Sequence, residues 1–241
     1  FACLLFASVE MNATLRQLHH DRNSRREFSQ AVFEVLGDAP SNIVLKEKHG
    51  ECLGASLWAS SRLLTHFLGA YLPALGAHGK GLRVLELGCG VGLPGIYCAL
   101  QGCSVTLTDK DEVLEITREN VAANCIAHTT TVAELVWGSD ALPPCAQEPY
   151  DLVIGADVLY RQEHLDALLH TLLQVCQPRT EVLIAYKQRI KCDEAFFEAA
   201  ARHFDISVVW RESEHSLSTS RIERDTHTYG LESAARGGGG G

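Results

Sequence analysis

Paired cysteines are what this 241-residue sequence most plainly lacks. Nine cysteines, an odd number, occur without a single CxxC, and several sit in apolar runs such as Ile96-Tyr97-Cys98-Ala99-Leu100. That distribution excludes a regular disulfide framework and reads as buried free thiols in a reducing compartment, so a cytoplasmic location is expected. HExxH and Cys/His sets at zinc spacing are also missing, so no metal site is expected. No apolar run reaches the roughly 18 residues of a membrane-crossing helix, which leaves no membrane partner in view. The apolar start Phe1-Ala2-Cys3-Leu4-Leu5-Phe6-Ala7 has neither an initiator Met nor a basic leading segment, so a signal peptide is not expected. Positive charge is scarce. With 21 Lys plus Arg against 30 Asp plus Glu, the formal charge of −9 argues against broad binding to nucleic acid.

What is present is an ordinary globular composition, 46% hydrophobic and 21% charged, at a length that suits one α/β domain with small additions. No repeat is visible. Residues 28–35 and 42–47 read as two short strands joined by Gly37-Asp38-Ala39-Pro40, an N-terminal hairpin. A helix is expected over 56–71, limited by Pro73. Strands at 82–87, 104–108, 129–136, 151–156 and 180–186 then alternate with helices near 93–101, 111–124 and 163–176, the pattern of a parallel sheet covered on both faces. A helix at 193–203 and strands at 206–210 and 226–231 follow, the last two as an antiparallel pair at the sheet edge. The expected fold is α/β: a Rossmann-like seven-stranded, mostly parallel sheet with one antiparallel edge strand, helices on both faces and a short N-terminal β-hairpin. The expected division is a flexible arm over 1–27, the hairpin extension over 28–54, one main domain over 55–233 and a Gly-rich tail over 234–241.

The most informative segment, Val84-Leu-Glu-Leu-Gly88-Cys-Gly90-Val-Gly92-Leu-Pro-Gly95, opens from a strand straight into a helix. Glycines there let the chain turn sharply and a ligand approach the backbone. Gly90-x-Gly92-x-x-Gly95 satisfies a dinucleotide fingerprint, and Asp109, at the tip of the next strand, is placed to accept hydrogen bonds from ribose hydroxyls. Glu86, two residues before Gly88, would repel a diphosphate and attract a cation, which favours the sulfonium of S-adenosylmethionine.

On these residues the sequence resembles the class I, seven-β-strand S-adenosylmethionine-dependent methyltransferases, and within them the methyltransferase-like 21 group of protein-lysine methyltransferases. The resemblance runs from about residue 50 to 231, through Leu57-Trp58-Ala59, the glycine loop, Thr106-Leu-Thr-Asp109, Asn120-Val-Ala-Ala-Asn124, Glu134-Leu-Val-Trp-Gly138, Asp151-Leu-Val-Ile-Gly-Ala-Asp-Val-Leu-Tyr160 and His227-Thr-Tyr-Gly230. It implies that Gly88, Cys89 and Gly90 line S-adenosylmethionine with backbone, that Asp109 holds the ribose, and that Glu86 lies near the methionyl end or caps backbone N–H groups. Trp137 is implied at the adenine face and Trp58 over the cofactor or at the mouth of the site, with the small Ala156 leaving room. Asp157 and Tyr160 are implied as the catalytic pair that receives the lysine amine. The implied partner is a folded protein substrate, of the chaperone or translation elongation factor class, and the implied state is a monomer. Two rivals remain at this point: an NAD(P)-dependent oxidoreductase using the Gly90 fingerprint, and a methyltransferase-like module without turnover. The basic set Arg16, Arg22, Arg25 and Arg26 reads as part of the N-terminal arm, and Lys187, Arg189 and Lys191, after the fifth strand, as a solvated loop or a surface for an acidic substrate.

Overall fold

Runs such as Val84-Leu85-Glu86-Leu87 and Leu152-Val153-Ile154 are nearly continuous in apolar side chains, which a strand tolerates only when both faces of its sheet are covered. The computed structural model describes residues 3–8, 29–34, 42–48, 52–74, 80–186 and 192–211. In chain order the elements are β1 (Cys3–Ser8), β2 (Ser29–Glu34), β3 (Asn42–Glu47), α1 (Ala59–Ala74), β4 (Arg83–Leu87), α2 (Leu93–Leu100) and β5 (Ser104–Asp109). There follow α3 (Asp111–Ala123), β6 (Thr130–Glu134), β7 (Leu152–Ala156), α4 (Leu165–Val175), β8 (Glu181–Tyr186), α5 (Cys192–Ala200) and β9 (Asp205–Arg211).

Five strands form a parallel sheet in the order β6-β5-β4-β7-β8. Beyond β8, β1 pairs in parallel with both β8 and β9, and β2 pairs antiparallel with β3. The edge strand expected over 226–231 and the basic residues at 16–26 and 187–191 lie outside the described residues. Helix α1 does not stop ahead of Pro73 as expected; it carries Pro73 in its last turn and ends at Ala74. In the final turn a proline costs the one hydrogen bond that an N–H would have donated to the carbonyl four residues back, and the helix ends one residue later.

Side chains alternate cleanly between two cores. Val84, Val105, Leu107, Leu152, Ile154, Leu183 and Ala185 pack with α1, α2 and α3. Leu85, Leu87, Val153, Val182 and Ile184 face the other way, against Leu165, Leu168 and Leu172 of α4 and Phe196 of α5. The chain winds outward through β4, β5 and β6, then returns to β7 on the opposite side of β4. That reversal opens a crevice at the carboxyl edge between β4 and β7, where open α/β sheets bind ligands. Leu87 is level with Thr108 on one side and Gly155 on the other, so Gly88, Asp109 and Asp157 emerge along one rim.

Candidate active site

A cavity of about 570 Å³ opens at this rim. Its β4 wall is backbone. Cys89 N–H donates to Thr108 O at 2.9 Å and Gly92 N–H to Cys89 O at 2.8 Å, so the loop is tied to β5 and to itself. Gly90 has φ of 55°, a left-handed conformation. A Cβ there would also lie 2.8 Å from the carbonyl oxygen of Gly54, in the segment that roofs the cavity. Asp109 accepts the Gly90 N–H at Oδ2 and the Lys110 N–H at Oδ1, both at 2.8 Å. Each carboxylate oxygen keeps a further lone pair for a ligand hydroxyl. Burial raises the Asp109 pKa, opposed by those two backbone bonds. Trp137 stands beyond Gly88, its Cζ2 3.0 Å from where a Gly88 Cβ would be, and turns toward the cavity. Trp58 spends its indole N–H on Leu53 O at 3.0 Å, which fixes the roof.

The β7 wall is made of side chains. Ala156, Asp157, Val158 and Tyr160 line the cavity, while Leu159 turns into the core at 1% exposure. Asp157 has φ of 59°, uncommon for a residue with a Cβ, and its N–H donates to Ala185 O at 2.8 Å. Beyond the kink Val158 and Leu159 are buried, and Tyr160 reaches the opening. Tyr160 is 37% exposed, its ring 5.8 Å from that of His164 and 5.9 Å from the Arg161 guanidinium carbon. Partial burial holds its phenol above the usual tyrosine range.

Of the ten residues expected at the site, nine line the cavity: Trp58, Gly88, Cys89, Gly90, Asp109, Trp137, Ala156, Asp157 and Tyr160. Glu86 does not. It lies behind the loop at 1% exposure, and its Oε2 accepts the Gly95 N–H at 2.9 Å. Burial outweighs that bond and pushes its pKa from 4.5 to about 8. A carboxyl so placed is mostly neutral at neutral pH, so it supplies a helix cap and not the attraction for a cation inferred from its position. The same bond occupies an N–H in the first turn of α2, where a pyrophosphate would bind, which removes support from the dinucleotide reading. The Cys89 thiol is 4% exposed and pushed well up by burial and by Asp109, so only its backbone serves the cavity.

Sequence reasoning missed Leu53, Ser56, Lys110, Glu112, Arg161 and His164, which also line the cavity. Lys110 and Glu112 follow the tip of β5 directly, a position that marks the site in any such sheet; the 52–56 roof carries no comparable signal.

The residues present suit a nucleoside-bearing donor: a backbone cradle too tight for a Cβ, a carboxylate with spare acceptors, and an indole. Residues 38–203 match the family described as lysine methyltransferase. The protein N-lysine methyltransferase METTL21A of Danio rerio is 36% identical over 180 residues, 73% of this chain and 76% of its own. EEF1A lysine methyltransferase 3 of Xenopus tropicalis is 29% identical over 216 residues, 82% of this chain and 94% of its own. Among solved structures, a SAM-dependent methyltransferase from Agrobacterium tumefaciens superposes with a TM-score of 0.53 at 14% identity, covering 84% of this chain and 69% of that one, a likeness of fold. With the match spanning the glycine loop, Asp109 and the Asp157–Tyr160 wall alike, the chain belongs to the lysine methyltransferase family and is an S-adenosylmethionine-dependent protein-lysine methyltransferase.

Proposed function

We propose that the two walls divide the reaction between them: the β4/β5 wall holds the donor, and the β7 wall receives the lysine. Gly88, Cys89 and Gly90 offer backbone to the donor, Asp109 takes its ribose hydroxyls, and Trp137 and Trp58 cover its base. When bound, S-adenosylmethionine supplies an electrophilic methyl group on a sulfonium. The chain's own residues must then deliver a neutral, aligned amine. Asp157 attracts the lysine ammonium to the cavity and accepts a hydrogen bond that orients the nitrogen as its proton leaves. Tyr160 keeps its phenolic proton, because burial raises its pKa, and guides the amine with its hydroxyl and ring face. Val158 and Leu159, at 3% and 1% exposure, exclude water beneath.

The observation that carries this reading is the convergence of Asp109, Trp137, Asp157 and Tyr160, from three different strand ends, on one cavity. The protein acts as a cytosolic monomer on a folded protein of the chaperone or elongation factor class. Support for the substrate class comes from the relative named as an EEF1A lysine methyltransferase. Incubation with labelled S-adenosylmethionine and a cell extract, followed by mass spectrometry of the labelled protein, tests it. Methyl-lysine on a chaperone or elongation factor is the expected result; label on another residue type, or on small molecules alone, overturns it.

A further inference from the structure

Helix α3 carries a stripe that the chemistry above does not use. Val113, Thr117, Asn120 and Asn124 follow one another at helical spacing, down one face of the helix and onto its C-cap. At its start, Val113 Cγ2 lies 2.7 Å from where a Cβ on Gly54 would be, so the cavity roof rests directly on it. Next, Thr117 Oγ1 donates to Gly90 O at 2.7 Å. The stripe ends on two asparagines that face the free edge of β3.

Asn120 Oδ1 accepts the Lys46 N–H at 2.7 Å, and its Nδ2 donates to Lys46 O at 3.1 Å. One turn on, Asn124 Oδ1 accepts the Val44 N–H at 3.0 Å and its Nδ2 donates to Val44 O at 2.7 Å. The match is geometric. Four helical residues rise about 6 Å, and two strand residues span about 6.6 Å, so two side-chain amides can stand in for a neighbouring strand. The asparagines differ in what else they reach. Asn120, fully buried at 0% exposure, also donates to Val91 O in the glycine loop at 3.0 Å, whereas the further donation of Asn124 goes to Asn120 O at 2.8 Å. The end of β3 in turn holds the roof, since Leu57 N–H donates to Glu47 Oε1 at 2.6 Å and Lys48 N–H to Ala55 O at 2.9 Å.

We propose that Asn120 is a positioning residue for the donor site: its single amide couples the docking of β3 to the placement of the glycine loop, and so sets donor affinity. This rests on the reading that the loop holds the donor. Asn124 makes the same strand bonds without touching the loop and therefore separates the two roles.

The test is titration calorimetry of the full chain with S-adenosylhomocysteine, beside thermal melting, for wild type, Asn120→Ala, Asn120→Ser and Asn124→Ala. Both sites are expected to lower the melting temperature. Only the Asn120 variants are expected to weaken binding, by about tenfold, within the usual span for coupled sites; Asn124→Ala stays within about twofold of wild type. Because linkage is reciprocal, S-adenosylhomocysteine should also slow hydrogen exchange at the Lys46 amide of the wild-type protein, a readout that needs no variant to fold. Equal affinity in all variants, equal losses at 120 and 124, or unchanged Lys46 exchange on saturation would each overturn the role of Asn120 alone. Failure of the wild type to bind S-adenosylhomocysteine would instead overturn the assignment of the cavity, and this proposal with it.

Discussion

The two walls of the cavity are built on opposite plans. At the ends of β4 and β5 the groups that line the cavity are backbone atoms and a carboxylate already tied to two N–H groups, set over the buried Glu86. At the end of β7 they are side chains, one on a left-handed residue and one 37% exposed. A donor that is the same in every turnover can be met by a fixed backbone; an amine carried on a large protein needs groups that project. The difference teaches where damage will register: changes to the first wall should act on donor binding, and changes to the second on turnover.

The strongest separation should come from Asp157→Asn. It is expected to cut kcat by about 10² to 10⁴, the range for a lost proton-handling group, with S-adenosylhomocysteine affinity nearly unchanged. Wild-type turnover in this variant would remove Asp157 from the mechanism. Gly90→Ala should do the reverse, because the new Cβ meets Gly54 O at 2.8 Å on a residue with φ of 55°. Donor affinity should fall about 100-fold in calorimetry, the equivalent of roughly 2–3 kcal/mol of strain and lost contact. Retained affinity would show that the roof can move away. Trp137→Ala is expected to weaken donor binding about tenfold, in keeping with about 0.5–1.5 kcal/mol for an aromatic contact beyond its buried area. A change in kcat alone would place its ring on the amine side.

The effect with the least bearing on donor binding is on the pH dependence of stability. Folding raises the Glu86 pKa from 4.5 to about 8, so the native state keeps a proton that the unfolded chain has released. Its contribution to stability is complete below pH 4.5 and declines as pH rises to 8, by at most about 1.4 kcal/mol per pH unit. Glu86→Gln should flatten that decline in denaturant titrations run across the window while barely altering donor affinity. An unchanged slope would mean that Glu86 is ionised in the folded protein.

Much of the core was legible because local pattern and tertiary role coincide there. Aliphatic runs at 83–87, 104–109 and 152–156 are strands because both faces are buried, and Gly88-x-Gly90-x-Gly92 marks a turn that only small residues permit. Glu86 was left between two readings, a carboxylate that attracts a cation and a cap for backbone N–H groups, because a sequence gives the position of a carboxylate along a strand but not the side of the loop it faces; burial and the Gly95 bond decide for the cap. The amide ladder was illegible for a different reason. Asn120 and Asn124 meet their strand partners across separations of 74 and 80 residues, and nothing local to an Asn-x-x-x-Asn spacing tells an exposed helix face from one that replaces a strand. The roof over 52–56 was missed likewise, since only the packing of Gly54 against Gly90 and Val113 gives it meaning.

The left-handed backbone of Asp157 has a consequence for how such a protein can drift. Glycine would occupy that position without the roughly 1–2 kcal/mol that a Cβ costs in a left-handed conformation. Selection for stability alone would therefore favour erasing the carboxylate, and an Asp157→Gly descendant should be a sturdier protein that still binds donor but transfers nothing. On the proposed role of Asp157, an aspartate at this place trades some stability for turnover, and a glycine there in a relative would mark a chain expected to bind donor without transferring methyl groups.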